Sequence, residues 1–180
     1  MTKSAAVRSG EASRSSAYNI KPIIKLMTTT DYTQLHHFLT RKDWKDADIE
    51  TRQLMLQIAG ADSRQDRLLT ANDIQNFPCS ELKKIDQLWV KASRGRFGFS
   101  AISNLYQAVD EDYFVLADQV GWRSGKDWID YNKINFTINA PVGHLPISWL
   151  VPTSFWMYWN ARFASAGWRL ILKRIAECNL

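Results

Sequence analysis

Apolar residues recur every three or four positions in several segments of this chain, and that spacing constrains the fold more than any other feature. The clearest case lies between Asp43 and Gly60, where the recurring residues are Trp44, Ala47, Thr51, Leu54 and Ile58. This spacing places them on one face of an α-helix. Since Asp43 is a favourable N-cap and Gly60 a favourable C-terminal residue, we predict a helix that begins and ends at these positions.

Similar signals occur along the rest of the chain. We predict further helices after Asp31 and over 72–76, 78–90, 100–109, 111–120 and 161–177. Proline suits the first turn of a helix and serine suits its N-cap, which places Pro78 and Ser100 at helix starts. A single weak strand-like segment covers 134–138. The sequence therefore predicts an all-α fold, a compact single-domain helical bundle.

The basic residues are unevenly distributed along the 180 positions, which are enough for one domain. The formal net charge is +5, and four of these charges are the surplus of basic over acidic residues in 1–25. We predict that 1–30 is a basic, disordered tail, with a composition that faintly resembles an organellar transit segment, and that 31–180 is the folded domain. Because the folded part is nearly neutral, the charge distribution argues against a nucleic-acid partner.

Tryptophan is concentrated near the C-terminal end. Six of the 8 tryptophans lie in the last third of the chain, at Trp122, Trp128, Trp149, Trp156, Trp159 and Trp168. Large aromatic side chains carry much apolar area on few rotatable bonds, so they suit a core, an interface or a flat ligand. Their clustering near one end favours a binding site over a core.

Residue patterns of common catalytic sites are missing from the sequence. It has no HExxH, no GxSxG, no P-loop and no dinucleotide fingerprint, and the adjacent His36 and His37 cannot share one helix face. Cys79 and Cys178 form neither a CxxC metal pair nor a dense disulfide framework, so we expect reduced thiols in an intracellular compartment. We interpret Asp86 as a structural hydrogen-bond acceptor. The sequence thus predicts a binding protein without an intrinsic metal, not an enzyme.

A glycine-rich loop brings aromatic and arginine residues together. Arg94 and Arg96 stand beside Phe97 and Phe99. A flat apolar ligand with acidic edges needs this combination, because rings cover its faces and guanidinium groups pair with its carboxylates. In the alternative, Phe97 and Phe99 anchor the core while Arg96 pairs with Asp86. The same combination recurs further along the chain at Trp122, Arg123 and Trp128.

A long segment, Ile134–Ala161, contains no charged side chain. Its length would span a bilayer, but three prolines and several polar residues interrupt it, so we do not predict a spanning helix. Contact with the membrane surface is the alternative, since aromatic rings favour the headgroup level. The residues that favour it are Trp149, Trp156, Tyr158 and Trp159.

Five sequence blocks occur in an order that resembles the Genomes Uncoupled Four family. They lie within 31–180 and are Trp44–Thr51, Phe77–Trp89, Ser93–Ser100, Val120–Arg123 and Gly143–Pro146. The first block has the family form W-x-x-A-D-x-E-T, and the third contains the loop of alternating glycine and phenylalanine. Five blocks in order are far more specific than any one of them.

The resemblance implies a helical domain with a loop-lined apolar groove for protoporphyrin IX or magnesium protoporphyrin IX. It also implies stimulation of magnesium chelatase, in chlorophyll biosynthesis, through the large porphyrin-binding subunit of that enzyme and without catalysis by the family member itself. The porphyrin-binding candidates are Phe97, Phe99, Trp122 and Arg123 in the matched blocks, with Trp128, Trp149 and Arg162 as additions outside them.

Two departures from the family refine this expectation. Some members carry a helical domain before this one, and land-plant members extend beyond it, whereas here a short tail precedes Asp31 and the chain stops at Leu180. We therefore expect a cyanobacterial or algal type, in the cyanobacterial cytoplasm or the plastid stroma and partly at a membrane. Two alternatives stay open: a membrane-associated interaction module without pigment, and a haem sensor with His144 as axial ligand. Otherwise His144 stabilises its turn or is exposed.

Overall fold

A computed structural model of the chain describes residues 30–65, 68–147 and 165–180. Its helices are α1 (Thr33–Arg41), α2 (Trp44–Ile58), α3 (Ala71–Gln75), α4 (Cys79–Ser93), α5 (Phe99–Ala108), α6 (Tyr113–Gln119) and α7 (Ser165–Glu177). Strands β1 (Arg123–Ser124) and β2 (Asp127–Trp128) form an antiparallel hairpin, followed by a 3₁₀ turn at Tyr131–Lys133. The predicted helical fold is confirmed. The predicted tail lies outside the described residues, apart from its last position.

The helices pack in a continuous series around one core. Helix α1 contacts α2 and α4, α4 contacts α5, and α5 contacts both α6 and α7, while α3 packs on α7 and α6 on β1. Between α2 and α4 the indole rings of Trp44 and Trp89 lie 6.0 Å apart, and the ring of Phe97 meets Trp44 edge-on at 5.3 Å. The indole N–H of Trp89 donates to the Thr51 hydroxyl at 2.9 Å, so this polar group is satisfied within the core.

The sequence predicted Ser100 as the N-cap of α5, and the structure shows that it is not. Gly98 occupies that position with φ of 130°, and Ser100 lies in the first turn. The backbone N–H and the hydroxyl of Ser100 both donate to Asp86 Oδ1, at 2.9 and 3.0 Å. A carboxylate on α4 therefore satisfies the start of α5, which confirms Asp86 as a structural acceptor and leaves Arg96 without the expected pairing to it.

The predicted strand-like segment 134–138 is not a strand. It is a run of bends and turns in which the Asn135 side chain accepts from the Thr137 hydroxyl at 2.8 Å. Arg96 donates to the carbonyl oxygens of Ile138 and Ala140 at 3.0 and 2.7 Å, taking acceptors that strand pairing would otherwise use. Within the described ranges, no helix has the length and apolar composition needed to cross a bilayer.

The expectation of two free thiols is wrong, because Cys79 and Cys178 form a disulfide. Their separation of 99 residues gave no sign of proximity in the sequence. Helix α7 runs along α3 and α5 and ends beside the first residue of α4, which brings the two sulfur atoms together. Tertiary packing, rather than local spacing, makes this bond.

Candidate ligand-binding surface

Three of the predicted porphyrin-binding residues lie in the core. Phe97 and Phe99 are 0 % exposed and Trp122 is 1 % exposed. The structure therefore places both phenylalanine rings of the glycine-rich loop away from the surface, which favours the alternative in which they anchor the core. A ligand would contact these rings only after the loop had moved.

Trp122 and His144 join two of the matched sequence blocks. The indole N–H of Trp122 donates to the carbonyl oxygen of His144 at 2.8 Å, and His144 Nδ1 lies 2.6 Å from the carbonyl oxygen of Val120. Since that oxygen can only accept, Nδ1 carries the proton. Burial lowers the pKa of His144, and the hydrogen bond to Val120 partly opposes that shift. The side chain is 2 % exposed, so His144 stabilises its turn from a buried position.

The third and fifth blocks also meet directly. Gly98 N–H donates to the carbonyl oxygen of Leu145 at 3.0 Å, and Gly143 N–H donates to that of Arg96 at 2.8 Å. Gly143 has a φ of 75°, which side chains rarely adopt, and a β-carbon there would lie 2.8 Å from the Leu105 side chain, so this position favours glycine. These contacts hold the loops after α4 and after the 3₁₀ turn against each other.

Arg123 and Trp128 are the two predicted residues that the structure brings together at a surface. They face each other in the hairpin, with the Arg123 guanidinium 5.8 Å from the Trp128 ring centroid and 4.9 Å from that of Phe114. Its Nη1 lies 3.4 Å from Asp118, and its Nη2 donates to Gly125 at 3.2 Å. The buried Nε has no hydrogen-bond partner among the described residues. The guanidinium is thus oriented by rings but incompletely paired.

Phe114 and Val115 were not among the predicted site residues, and they are 55 % and 48 % exposed at the start of α6. Asp112 accepts from both of their backbone N–H groups, at 2.8 and 3.1 Å, so the two side chains project from a fixed helical turn. The available signal was the run of five successive apolar residues from Tyr113, because neighbouring helix positions differ by about 100° and cannot all face the core. Tyr113 itself stacks on Trp128 at 5.5 Å.

We call Phe114, Val115, Arg123 and Trp128 the aromatic face. It combines two exposed apolar side chains, a half-buried indole and an incompletely paired guanidinium. Such a surface suits the edge and one side of a flat, apolar molecule that carries a carboxylate. Trp149 and Arg162 lie outside the described residues, as do the other tryptophans expected to meet a membrane.

A separate pocket of about 220 Å³ lies between α1 and α4. It is smaller than the roughly 300–1,000 Å³ of most small-molecule sites. Its lining includes Lys42, Lys91 and His36 above Leu39 and Leu88. Neither α1 nor α4 packs closely against α6 or the hairpin, so this pocket is distinct from the aromatic face. The described residues contain no cluster of histidine, cysteine and acidic side chains that could hold a metal ion.

Asp48 is a second feature whose role the sequence did not reveal. In the sequence it is one polar residue of the block Trp44–Thr51, yet in the structure it is 0 % exposed. It accepts from the Tyr131 hydroxyl at 2.8 Å and from Ile147 N–H at 2.5 Å. Burial, followed by the nearby Asp48 charge, raises the pKa of Tyr131, so this phenol stays a donor. Asp48 therefore fixes the 3₁₀ turn and the end of the 139–147 loop to α2.

The model of the GUN4-like family matches residues 25–161. The chain belongs to the GUN4-like family. The resemblance seen in the five ordered blocks is thereby confirmed.

Two curated relatives show the range of this similarity. The chain is 34% identical over 118 residues to the Ycf53-like protein of Synechocystis, covering 65% of this chain and 51% of the relative. It is 29% identical over 131 residues to the tetrapyrrole-binding protein, chloroplastic, of Arabidopsis thaliana, covering 67% of this chain and 49% of the relative. The chain therefore spans about half the length of the curated relatives it matches.

Solved structures agree on the fold. The ligand-free structure of Arabidopsis thaliana GUN4 matches with a TM-score of 0.64 and 26% identity, over 82% of this chain and 92% of that one. The structure of GUN4 from Chlamydomonas reinhardtii matches with a TM-score of 0.61 and 22% identity, over 75% and 88% of the two chains. The helical arrangement of this chain is that of the GUN4 domain.

Proposed function

We propose that this GUN4-like chain binds a porphyrin at the aromatic face and acts as a non-catalytic carrier and activator for magnesium chelatase. The observation that carries the proposal is the Arg123 guanidinium, which lies against Phe114 and Trp128 and is incompletely paired. A porphyrin ring would cover the exposed side chains of Phe114 and Val115. One propionate would pair with the guanidinium by a charge-assisted hydrogen bond.

The existing contacts of Arg123 favour exchange with such a carboxylate. Its ion pair with Asp118 is long, at 3.4 Å, and joins an Arg123 side chain that is 13% exposed to an Asp118 side chain that is 52% exposed. Because the contact is long and its acidic partner is largely solvated, a well-placed propionate would replace Asp118 on the guanidinium. The two rings meanwhile hold the guanidinium in place before the ligand arrives, which lowers the ordering cost of binding.

The predicted site residues take different parts in this proposal. Arg123 and Trp128 contact the ligand directly, whereas Phe97, Phe99 and Trp122 support the loops from beneath. Trp149 and Arg162 stay predictions for the rest of the groove.

Membership of the family supports the choice of ligand and partner. The Arabidopsis relative is named a tetrapyrrole-binding protein, which supports a porphyrin as ligand here. We propose protoporphyrin IX and magnesium protoporphyrin IX as the two forms bound, and the large porphyrin-binding subunit of magnesium chelatase as the protein partner. Relatives in a cyanobacterium and a chloroplast support a place in the cyanobacterial cytoplasm or the plastid.

Titration with magnesium protoporphyrin IX, followed by quenching of tryptophan fluorescence, tests the ligand. We expect Arg123→Gln and Phe114→Ala each to weaken binding by about tenfold, the equivalent of 1.4 kcal/mol. Matched controls are Arg41→Gln on α1 and Ile49→Ala on α2, both at exposed positions away from the face. No quenching at micromolar porphyrin in folded protein would overturn the proposal, and equal losses in the controls would remove the site from the aromatic face.

The chelatase role needs its own assay. We expect the purified chain to increase the rate at which a complete magnesium chelatase inserts the metal, and Arg123→Gln to need more porphyrin for the same effect. A rate that is unchanged by the wild-type chain would leave porphyrin binding intact but refute activation.

A membrane-associated module without pigment is the second candidate function. It is favoured by Ile138 and Val142, both 41 % exposed in the described part of the uncharged segment. Flotation with anionic liposomes, with and without porphyrin, separates the two functions. Flotation that ignores porphyrin, together with no quenching, would favour the membrane module.

A further inference from the structure

The C-terminal helix is joined to the start of α4 by a covalent bond. Cys79 is the first residue of α4, and Cys178 directly follows the last residue of α7. The disulfide between them closes a loop that contains α4, α5, α6, the hairpin and α7. Since the chain has only these two cysteines, this disulfide alone fixes the end of the chain covalently to the body of the domain.

Non-covalent contacts hold the same helix at the same place. Arg174 donates from Nε and Nη2 to the carbonyl oxygen of Phe77, at 3.0 and 2.8 Å. Ile171 and Ile175 are 0 % exposed on the inner side of α7. With the disulfide opened, these contacts alone would attach the end of α7 to the body of the domain.

The two sulfur-bearing residues differ in accessibility. Cys178 is buried, at 2 % exposed. Cys79 is half-buried, and its neighbours Pro78 and Ser80 are both exposed. A thiol from another protein therefore reaches the sulfur of Cys79 more readily than that of Cys178.

We propose that the Cys79–Cys178 disulfide is a thiol–disulfide exchange site for a dithiol protein reductant, and that its redox state sets how firmly α7 is held. This inference goes beyond porphyrin binding and does not depend on it. The site needs no metal or further cofactor, because the reductant supplies both electrons and both protons.

The exchange proceeds in two steps. A thiolate of the reductant attacks Cys79 Sγ, a mixed disulfide forms, and Cys178 leaves as a thiolate that takes a proton. The second thiol of the reductant then loses its proton and attacks the reductant's sulfur in the mixed disulfide, which releases Cys79 as a thiolate that also takes a proton. Because Cys79 is at the N-terminal end of a 15-residue helix, the backbone N–H groups there stabilise the Cys79 thiolate that the second step releases. The products are two thiols in this chain and one disulfide in the reductant.

The first test measures reduction of the folded chain. Oxidised protein is mixed with a reduced thioredoxin, or with dithiothreitol, without denaturant, and the new thiols are trapped by alkylation and counted by mass spectrometry. We expect a rate proportional to reductant concentration and at least about tenfold faster than global unfolding. A rate that equals the unfolding rate and ignores reductant concentration would show an inert structural bond and overturn the proposal.

The second test measures how firmly α7 is held. We expect amide hydrogen exchange in α7 to rise about tenfold or more on reduction, while exchange in α2, outside the closed loop, changes little. Arg174→Gln removes the second contact, so its α7 should stay protected when oxidised and lose protection when reduced. Equal protection of α7 in both redox states of both proteins would refute the regulatory role. Because wild-type protein is compared in two redox states without porphyrin, the result stands whether or not the chain binds that ligand.

Discussion

Replacement of Phe97 distinguishes a core anchor from a ligand contact, which are the two interpretations that the sequence left open. The Phe97 ring is 0 % exposed and meets the rings of Trp44 and Trp89 at 5.3 and 6.4 Å, edge-on in both cases. Its backbone is fixed as well, since Phe97 N–H donates to the Ser93 hydroxyl at 2.9 Å. A smaller side chain here would leave a cavity that the surrounding rings cannot fill.

The cost of that cavity follows from the contacts. Phe97→Ala should lower the free energy of unfolding by about 3–5 kcal/mol, the usual range for a buried phenylalanine. Phe97→Leu keeps most of the volume and loses two aromatic contacts of about 0.5–1.5 kcal/mol each, so we expect a loss of about 1–3 kcal/mol. In a chain of this size 1 kcal/mol corresponds to about 2–4 °C in Tm, which makes the alanine shift about 6–20 °C.

Thermal unfolding followed by circular dichroism measures these shifts, and porphyrin titration of the same variants below their Tm measures affinity. We expect Tm to decrease from wild type to Phe97→Leu to Phe97→Ala. We expect the porphyrin affinity of each folded variant to stay within about threefold of wild type. If Phe97→Ala instead melts like wild type and binds porphyrin poorly, the ring faces the ligand and the core assignment is wrong.

Two further predictions concern the loops that surround this core. A β-carbon on Gly98 would lie 2.7 Å from Asp86 Oδ1, whereas one on Gly95 would meet nothing within 4 Å. Gly98→Ala should therefore lower the free energy of unfolding by about 1–3 kcal/mol more than Gly95→Ala does. Equal losses in urea unfolding would mean that the Asp86 side chain moves aside without cost. Because the pKa of His144 is lowered in the folded protein, the unfolded chain binds a proton at this residue at a higher pH than the folded chain does. The free energy of unfolding therefore decreases as the pH falls below the ordinary histidine value of 6.5. His144→Gln should reduce the decrease in Tm between about pH 7 and pH 5. His36→Gln, at an exposed position, is the control for the loss of a histidine. A pH dependence of Tm that is unchanged in His144→Gln would contradict the buried, neutral ring.

The helices were predictable because their signals are local. The apolar spacing from Trp44 onward placed α2 within two residues at its C-terminal end, and Pro78 marked the start of α4. Ser100 was misassigned because a serine near a helix start usually caps it, and nothing in the local sequence shows that Asp86 on another helix accepts the hydrogen bonds there. The pairing of Cys79 with Cys178 depends on the packing of α7, which no spacing rule reveals.

The candidate site was only partly predictable, because some of its contacts also depend on tertiary packing. Arg123 and Trp128 are five residues apart, and a tight hairpin with Gly125 at φ of 64° brings them face to face. Phe114 comes from the preceding helix, and its ring joins the pair only because α6 packs against β1. An exposed aromatic in the first turn of a helix has the same sequence appearance as a buried one. Composition therefore pointed to aromatic and arginine chemistry without selecting the rings that reach solvent.

The matched blocks are linked to one another more than to the surface. Gly98 bonds to Leu145, Gly143 bonds to Arg96, and Trp122 bonds to His144. Each pair joins two blocks that are distant in sequence, and each uses a glycine or a buried ring for which few other residues would fit. The blocks that identify the family thus build the frame on which the hairpin is held, and the side chains proposed to meet a ligand lie at its edge. Substitutions at the frame should therefore act on stability, whereas those at Phe114 should act on affinity with the fold intact.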